Sequence, residues 1–407
     1  MRILHLGHVP VPQNHPQAAR LGIQHPGRWV LNHALAQKAA GLDVEVIAQA
    51  HKASCDFDCQ ICGVTVHFLR TFHSYRHLTF YALDGWRMAR LARRLKPDIV
   101  HAHGTEAAYG HAAVRSGLPF CITAQGLYFK IIPTLGRPPT WDERFLGWGE
   151  NMVWKKTKFA VAKSRYGEDA LRSRYPLMDV SLIYNAYDLE LERSLSKKDG
   201  RRVAFVGGIS NRKGFHFLVP LASRMASDSS FEIHVAGNGP EGGSSRYENE
   251  QISRLRDILG SRLVLHGRLS ASEVFSLLDN CRVIVAPSLE EMSGNQVTEG
   301  IMRGCHAVVF DKTGVAGIVQ RVGNGSLVPW GDAERFADSV VQVLESPPSR
   351  QVMETARKNV AAIMSPSVVA AKHLTLYRRI LSGSVSDVKP QSDSSADILD
   401  RLELLGK

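Results

Sequence analysis

Long hydrophobic runs are missing from this chain. Nothing in its 407 residues approaches the about 20 apolar residues that a membrane-spanning helix needs, and the apolar start (Ile3, Leu4, Leu6) is interrupted by His5, Gly7, His8 and Pro10. A secretory leader needs a longer apolar region, so the start reads as a first β-strand and a cytoplasmic protein is expected. Cysteine is scarce: six in all, of which Cys121, Cys281 and Cys305 stand alone in expected strands or helices, which excludes a disulfide framework. No repeat is visible, which removes solenoids and propellers. With 34 Gly, 18 Pro, 44% hydrophobic and 22% charged residues, the composition is neither collagenous nor disordered. A single core stops growing at roughly 250 to 300 residues, so two domains are expected.

Charge is unevenly spread. Residues 1–185 carry 23 Lys and Arg against 13 Asp and Glu, and residues 186–407 carry 27 against 26, so nearly all of the net +11 lies in the first half. That half either faces something anionic, such as a membrane, a phosphorylated substrate or nucleic acid, or is simply a solvated basic surface.

Short β-branched runs recur at residues 2–6, 44–48, 64–69, 98–103, 120–124, 158–162 and 181–184, most of them separated by stretches of helical spacing. Over residues 84–96, Met88, Leu91, Ala92 and Leu95 form an apolar stripe, Arg87, Arg90 and Arg94 line another face, and Pro97 ends the helix. After a polar stretch at 190–202 the pattern restarts, with strands at 203–207, 231–236, 263–266, 283–286 and 307–310. Strand alternating with helix means mostly parallel sheets covered on both faces, so two tandem Rossmann-like domains facing a cleft are expected. The expected boundaries are a first domain over 1–186, a second over 187–366, a helix over 367–382, and a loose tail over 383–407 with one short helix near 396–405.

Two strand ends carry chemistry. The strand ending at Val206 runs into Gly207, Gly208, Ile209, Ser210, Asn211, Arg212, Lys213 and Gly214, where small residues let backbone N–H groups approach a phosphate and Arg212 and Lys213 supply cations. A basic surface turn would look the same. The strand ending at Ala286 runs into a loop with Glu290, Glu291, Gly294 and Asn295, then a helix carrying Glu299. The spacing predicts Glu291 in the loop and Glu299 two turns down, both toward the cleft, where carboxylates can hold sugar hydroxyls. A helix start that favours acids explains Glu290 and Glu291 as well, and Glu299 less so.

Taken together, these segments resemble the retaining nucleotide-sugar glycosyltransferases of the GT-B fold, family 4. The resemblance covers nearly the whole chain and rests on residues 207–214, Ala236 to Glu241 (A-G-x-G-P-E), 265–269, the run from Pro287 and Ser288 to Glu299, Asn324 to Pro329 (N-G-x-L-V-P), and Asn185 to Asp188 (N-x-x-D). It implies a donor nucleoside diphosphate sugar, no required cofactor or metal, and a terminal helix crossing back to the first domain. It also implies that Lys213, with Gly207, Gly208 and Arg212, holds the diphosphate and that Glu299 holds the ribose. Glu291 would meet the donor sugar and, with Lys213, carry catalysis, while Gly294 and Asn295 would meet phosphate or sugar. Asn238 and Leu269 would frame the base, and Gly27, His103, Glu106 and Gln125 would lie on the acceptor or donor-sugar side. The expected acceptor is a cell-surface glycan or lipid-linked glycan, with the Arg87, Arg90 and Arg94 face against anionic lipid and no nucleic acid as partner.

The chain departs from the family in places. Gly208 stands where the family has Arg, which leaves Arg212 as the nearest replacement cation, and Gln125 stands where a His is usual. Pro26 and Gly27 replace paired glycines, and Gly317 replaces a Glu. A binding protein that has lost activity, or an epimerase of the same fold, are the alternatives. His101 and His103, with Glu106 nearby, suggest a metal pair, sugar-binding groups or structural imidazoles, and local sequence offers no third metal ligand. Gly237, Gly239 and Gly242 spell G-x-G-x-x-G, but Pro240 and the absence of an acid at the next strand end argue against a dinucleotide site. Cys55, Cys59 and Cys62 form C-x3-C-x2-C in an expected loop, resembling a cluster motif but set in the wrong architecture.

Overall fold

The computed structural model describes residues 1–18, 27–51, 53–71, 79, 81–105, 107–187, 194–198, 200–237 and 246–383. Two sheets form in tandem. The first contains β1 (Arg2–Leu6), β2 (Asp43–His51), β3 (Phe57–Ile61), β4 (Val64–Thr71), β5 (Ile99–His103), β6 (Phe120–Thr123), β7 (Phe159–Ala162) and β8 (Asp179–Leu182), in the order 3-4-2-1-5-6-7-8. Only β3 runs antiparallel, paired to β4. The second contains β9 (Arg201–Val206), β10 (Phe231–Ala236), β11 (Leu263–Gly267), β12 (Val283–Ala286), β13 (His306–Phe310) and β14 (Gly325–Val328), all parallel, in the order 11-10-9-12-13-14.

Central strands such as β5, β7 and β12 are buried along their whole length, as apolar strands covered on both faces must be. On one face of the first sheet lie the helices Trp29–Ala39 and Pro366–Ser382. On the other lie Ala82–Leu95, Ala108–Ser116, Trp141–Trp154 and Arg165–Arg174, packed around Met88, Ala112, Trp154 and Leu171. The final described helix, Pro366–Ser382, returns to the first sheet as expected. The Tyr377 hydroxyl meets Gln37 Nε2 at 3.0 Å and His101 Nδ1 at 2.7 Å, and Arg379 donates to Ser181 Oγ at 2.6 Å. The two sheets with their helices make the two tandem Rossmann-like domains expected.

Some elements differ from expectation. Residues 57–61 form the edge strand β3, so Cys59 sits in a hairpin rather than a loop. The short strand β14 was not anticipated, and β8 begins two residues earlier than 181. Arg87 is committed to Asp56 at 2.6 Å and to the Arg70 carbonyl, and the Arg90 guanidinium lies over the Trp86 ring at 5.5 Å, so the arginine face is partly engaged within the protein. The helix expected near 396–405 lies outside the described residues.

Candidate active site between the two domains

The two chemical loops of the second sheet are neighbours because β9 and β12 pair directly. They are also stitched by backbone, Leu289 N donating to the Arg212 carbonyl at 2.8 Å. Gly214 has φ +67° and any Cβ there would overlap the Pro287 carbonyl, so the close approach of the loops requires glycine. After Gly214 the chain makes one 3₁₀ turn and then the short helix Leu218–Arg224, less of a helix than the sequence suggested. The loop therefore offers an anion the Lys213 ammonium and backbone N–H groups more than the dipole of a long helix.

Lys213 Nζ forms an ion pair with Glu291 Oε2. Burial by itself would raise the Glu291 carboxyl, but the charge and hydrogen bond of Lys213 outweigh it, and Glu291 is held down at about 2. Arg212 is turned the other way, its Nη1 lying 3.2 Å from the Glu290 carbonyl and 3.4 Å from Glu290 Oε2. Glu290 is 1% exposed and its Oε1 has no partner, and burial pushes its carboxyl up to about 7 against the pull of Arg212. Sequence reading had treated Glu290 as an ordinary helix-start acid. Its depth and its hold on Arg212 became visible only in the fold.

Gly294 has φ +59° and opens the helix Asn295–Met302, on which Glu299 stands just over one turn down rather than two. Burial raises the Glu299 carboxyl to about 7, opposed by Arg303. The Tyr187 phenol is pushed well above its ordinary range by burial, then by the charge of Glu299, with Glu291 adding to it. Tyr187 was missed in the sequence, although it sits inside the N-x-x-D segment from Asn185 to Asp188. The side chain of Asn295 is tied to the end of the first domain, accepting from Asn185 Nδ2 at 2.7 Å and from Ser293 Oγ at 3.2 Å, which leaves its backbone N–H at the helix start for a ligand. Gly207 and Gly208 lie at the open end of β9, and Leu269 lies between β11 and the capped helix Ala271–Asn280. Asn238 and Glu106 lie outside the described residues, as do Gly239, Pro240, Glu241 and Gly242.

The first domain meets this site directly. Asn211 Nδ2 donates to the Thr134 carbonyl at 3.2 Å, and Met292 packs into the first-domain core. Gln125 accepts a hydrogen bond from Lys163, a lysine only 5% exposed at the end of β7, while Gln125 Nε2 has no partner. Lys163 carried no sequence signal beyond a cation directly after an apolar strand. Gly27 packs against Trp29 at the start of its helix.

His101 has both ring nitrogens engaged, with the Tyr377 hydroxyl and with Thr123 Oγ1 at 2.7 Å each, which makes it a structural imidazole. His103 Nε2 lies 2.8 Å from His5 Nδ1, and its Nδ1 is unpartnered. The third imidazole that local sequence could not supply is His5, placed opposite His101 by the register of β1 and β5. Among the described residues, His5, His101 and His103 are the single group with metal-ligand spacing, and the three thiols Cys55, Cys59 and Cys62 do not gather in this way. The cluster is closed by protein partners, with His5 Nε2 on Gln37 Oε1 at 3.0 Å.

Comparison with known proteins identifies the family and the fold. Residues 26–191 match the family described as Glycosyltransferase Family 4, and residues 200–346 match Glycosyl transferases group 1, together well over half of the chain. An alpha-D-kanosaminyltransferase from Streptomyces kanamyceticus is 28% identical over 321 residues, 72% of this chain and 80% of that protein. A sucrose-phosphate synthase from Thermosynechococcus elongatus superposes with a TM-score of 0.76 at 17% identity, covering 94% of this chain and 100% of that one. The Anabaena protein HepE, solved with UDP and glucose, superposes with a TM-score of 0.66 at 14% identity, covering 92% and 99%. The chain belongs to the group 1, family 4 glycosyltransferases and has their GT-B fold.

Proposed function

We propose that this glycosyltransferase is a retaining hexosyltransferase that moves a sugar from a nucleoside diphosphate sugar to a glycan or lipid-linked acceptor in cell-surface polysaccharide biosynthesis. The observation that carries the donor half is the pairing of Lys213 with Glu291 at the facing ends of β9 and β12, with Glu299 on the helix that follows the Glu291 loop. Breaking a sugar–phosphate bond places negative charge on the departing diphosphate and positive charge on the anomeric carbon. A preorganised ammonium stabilises the first most strongly in the transition state. When diphosphate takes Lys213, Glu291 is released as an ionised acceptor for the donor sugar's hydroxyls. Glu299, partly protonated in the empty site, accepts from the ribose, and Arg212 reaches the phosphate only by leaving Glu290. The solved HepE complex with UDP and glucose supports a uridine nucleotide as the first donor to try.

Thermal unfolding with uridine, guanosine and adenosine diphosphates and their sugar conjugates tests this. Ligand at a hundred times its dissociation constant adds about 2.7 kcal/mol, a shift of a few degrees. One base should stabilise the wild type and neither Lys213→Ala nor Glu299→Ala. Gly208 and Gln125 favour a second reading, a sugar-nucleotide-binding protein without turnover. Release of nucleotide from the stabilising donor, with or without acceptor, separates the two, because a pure binder releases none.

A further inference from the structure

We infer that the helix Trp141–Trp154 is a docking face for an anionic lipid bilayer, beside the mouth of the cleft. Its positions 141, 145, 148 and 152 share one side of an α-helix and carry Trp, Phe, Trp and Met. Trp141 is 83% and Trp148 54% exposed, whereas Glu150, Val153 and Trp154 on the opposite side are buried against the first sheet. A soluble surface helix puts polar residues outward, so an exposed aromatic stripe over a separately satisfied core side needs an occupant. Arg144, Lys155 and Lys156, all exposed, flank the stripe, and the Arg144 guanidinium lies over the Trp141 ring at 5.9 Å. One exposed carboxylate, Asp142, borders the stripe beside Trp141 against the three cations, and Glu143 lies on the far side of the helix, capping it and paired with Arg137 at 2.6 Å.

Charge selects the occupant. The first half of the chain holds 23 basic against 13 acidic residues, so a second copy of the same face would be repelled, while anionic headgroups would be attracted. Indole rings with adjacent guanidinium and ammonium groups suit the boundary between headgroups and acyl chains, where one side of the ring is apolar and the other wet. On the same side of the first sheet the helix Ala82–Leu95 also exposes Leu83 and Trp86, the latter under the Arg90 guanidinium. The segment just before the helix supplies the Thr134 carbonyl that meets Asn211 of the phosphate loop, so a docked helix holds the cleft mouth at the bilayer. The biological use of this face rests on the lipid-linked acceptor proposed above, but its binding does not.

The test is flotation of the full chain with vesicles of phosphatidylcholine alone and of phosphatidylcholine with phosphatidylglycerol, at low and high salt. The wild type should bind the anionic vesicles, lose most binding at high salt, and show a blue shift of tryptophan emission. Trp141→Ala with Trp148→Ala should weaken partitioning at least tenfold with midpoint of unfolding and nucleotide-induced stabilisation unchanged. Lys155→Glu with Lys156→Glu should abolish the preference for anionic lipid. No binding by the wild type, or equal binding by the tryptophan variant, overturns the inference. So does a wild-type dimer in sedimentation that the tryptophan variant makes monomeric, because the occupant is then a protein. Nucleotide stabilisation that persists while vesicle binding fails leaves the proposed donor chemistry standing.

Discussion

Lys213 and Glu291 neutralise each other at the facing ends of two adjacent strands, while the neighbouring Arg212 makes its hydrogen bonds to Glu290. The pair is largely buried, so removing one partner strands the other's charge, at a cost of about 3 kcal/mol or more. Lys213→Ala should therefore lower the midpoint of unfolding, and Lys213→Ala with Glu291→Gln should recover much of it. In steady-state kinetics Lys213→Ala should depress kcat by about a hundredfold, as loss of a preorganised transition-state charge does. A rise in KM with kcat unchanged would reduce Lys213 to a binding residue.

Glu299 gives the donor site a pH dependence whose sign follows from burial. Its carboxyl is raised to about 7 in the empty site, and hydroxyl donors from a ribose favour the charged form. Donor affinity should thus increase as pH rises from 6 to 8 and level off above, falling by up to tenfold per unit below the carboxyl's midpoint. Calorimetric titration of nucleotide across that range checks it. Glu299→Gln should flatten the curve, and Glu290→Gln serves as the control, since Glu290 is also raised to about 7. A slope that survives Glu299→Gln but not Glu290→Gln would move the titration to the Arg212 partner.

Much of this was legible because parallel strands buried on both faces are near-continuous apolar runs, as at Ile99–His103 and Val283–Ala286, each closed by a turn. Strand Phe57–Ile61 escaped because it is an edge strand whose Asp58 and Gln60 face solvent, and Gly325–Val328 because it is short and opens on glycine. Within the site, the local spacing from Glu291 to Glu299 was readable, though the late start of the helix at Asn295 put Glu299 one turn shallower. What depended on strand order was invisible: His5 reaches His103 across 98 residues, and Lys163 reaches Gln125 across 38. Lys213 was readable as a cation in a glycine-rich turn, but its choice of Glu291 over solvent, and Arg212's choice of Glu290, depend on β9 lying beside β12.

Gly214 has a backbone prediction attached. Gly214→Ala must place a methyl group against the Pro287 carbonyl at a φ of +67° that side chains avoid, so the Lys213 loop and the Glu291 loop have to separate. A loss of about 2 to 4 kcal/mol in urea unfolding is expected, together with loss of nucleotide-induced stabilisation. Gly317→Ala, where an added Cβ meets nothing, is the matched control and should do neither.

The buried imidazoles make the fold sensitive to acid. His5, His33, His101, His103 and His373 form one cluster of ring contacts, some stacked and others tilted or edge-on, between the first sheet and the returning helix. Burial holds all of them below the ordinary histidine range, His5 to about 4 and His33 to about 3. In the unfolded chain each takes a proton near pH 6.5, so below that value the unfolded state binds more protons and stability falls with pH. The stability is fully present above 6.5 and lost on acidification toward the folded values, by on the order of 1 kcal/mol per imidazole for the first unit. Urea unfolding at pH 7.5, 6.5 and 5.5 should show that decline. His373→Leu, which removes a ring whose Nε2 has no partner, should lessen the slope by about one proton without abolishing the fold. A wild-type stability that stays flat over this range would mean that the cluster is already protonated, or hydrated, in the folded protein.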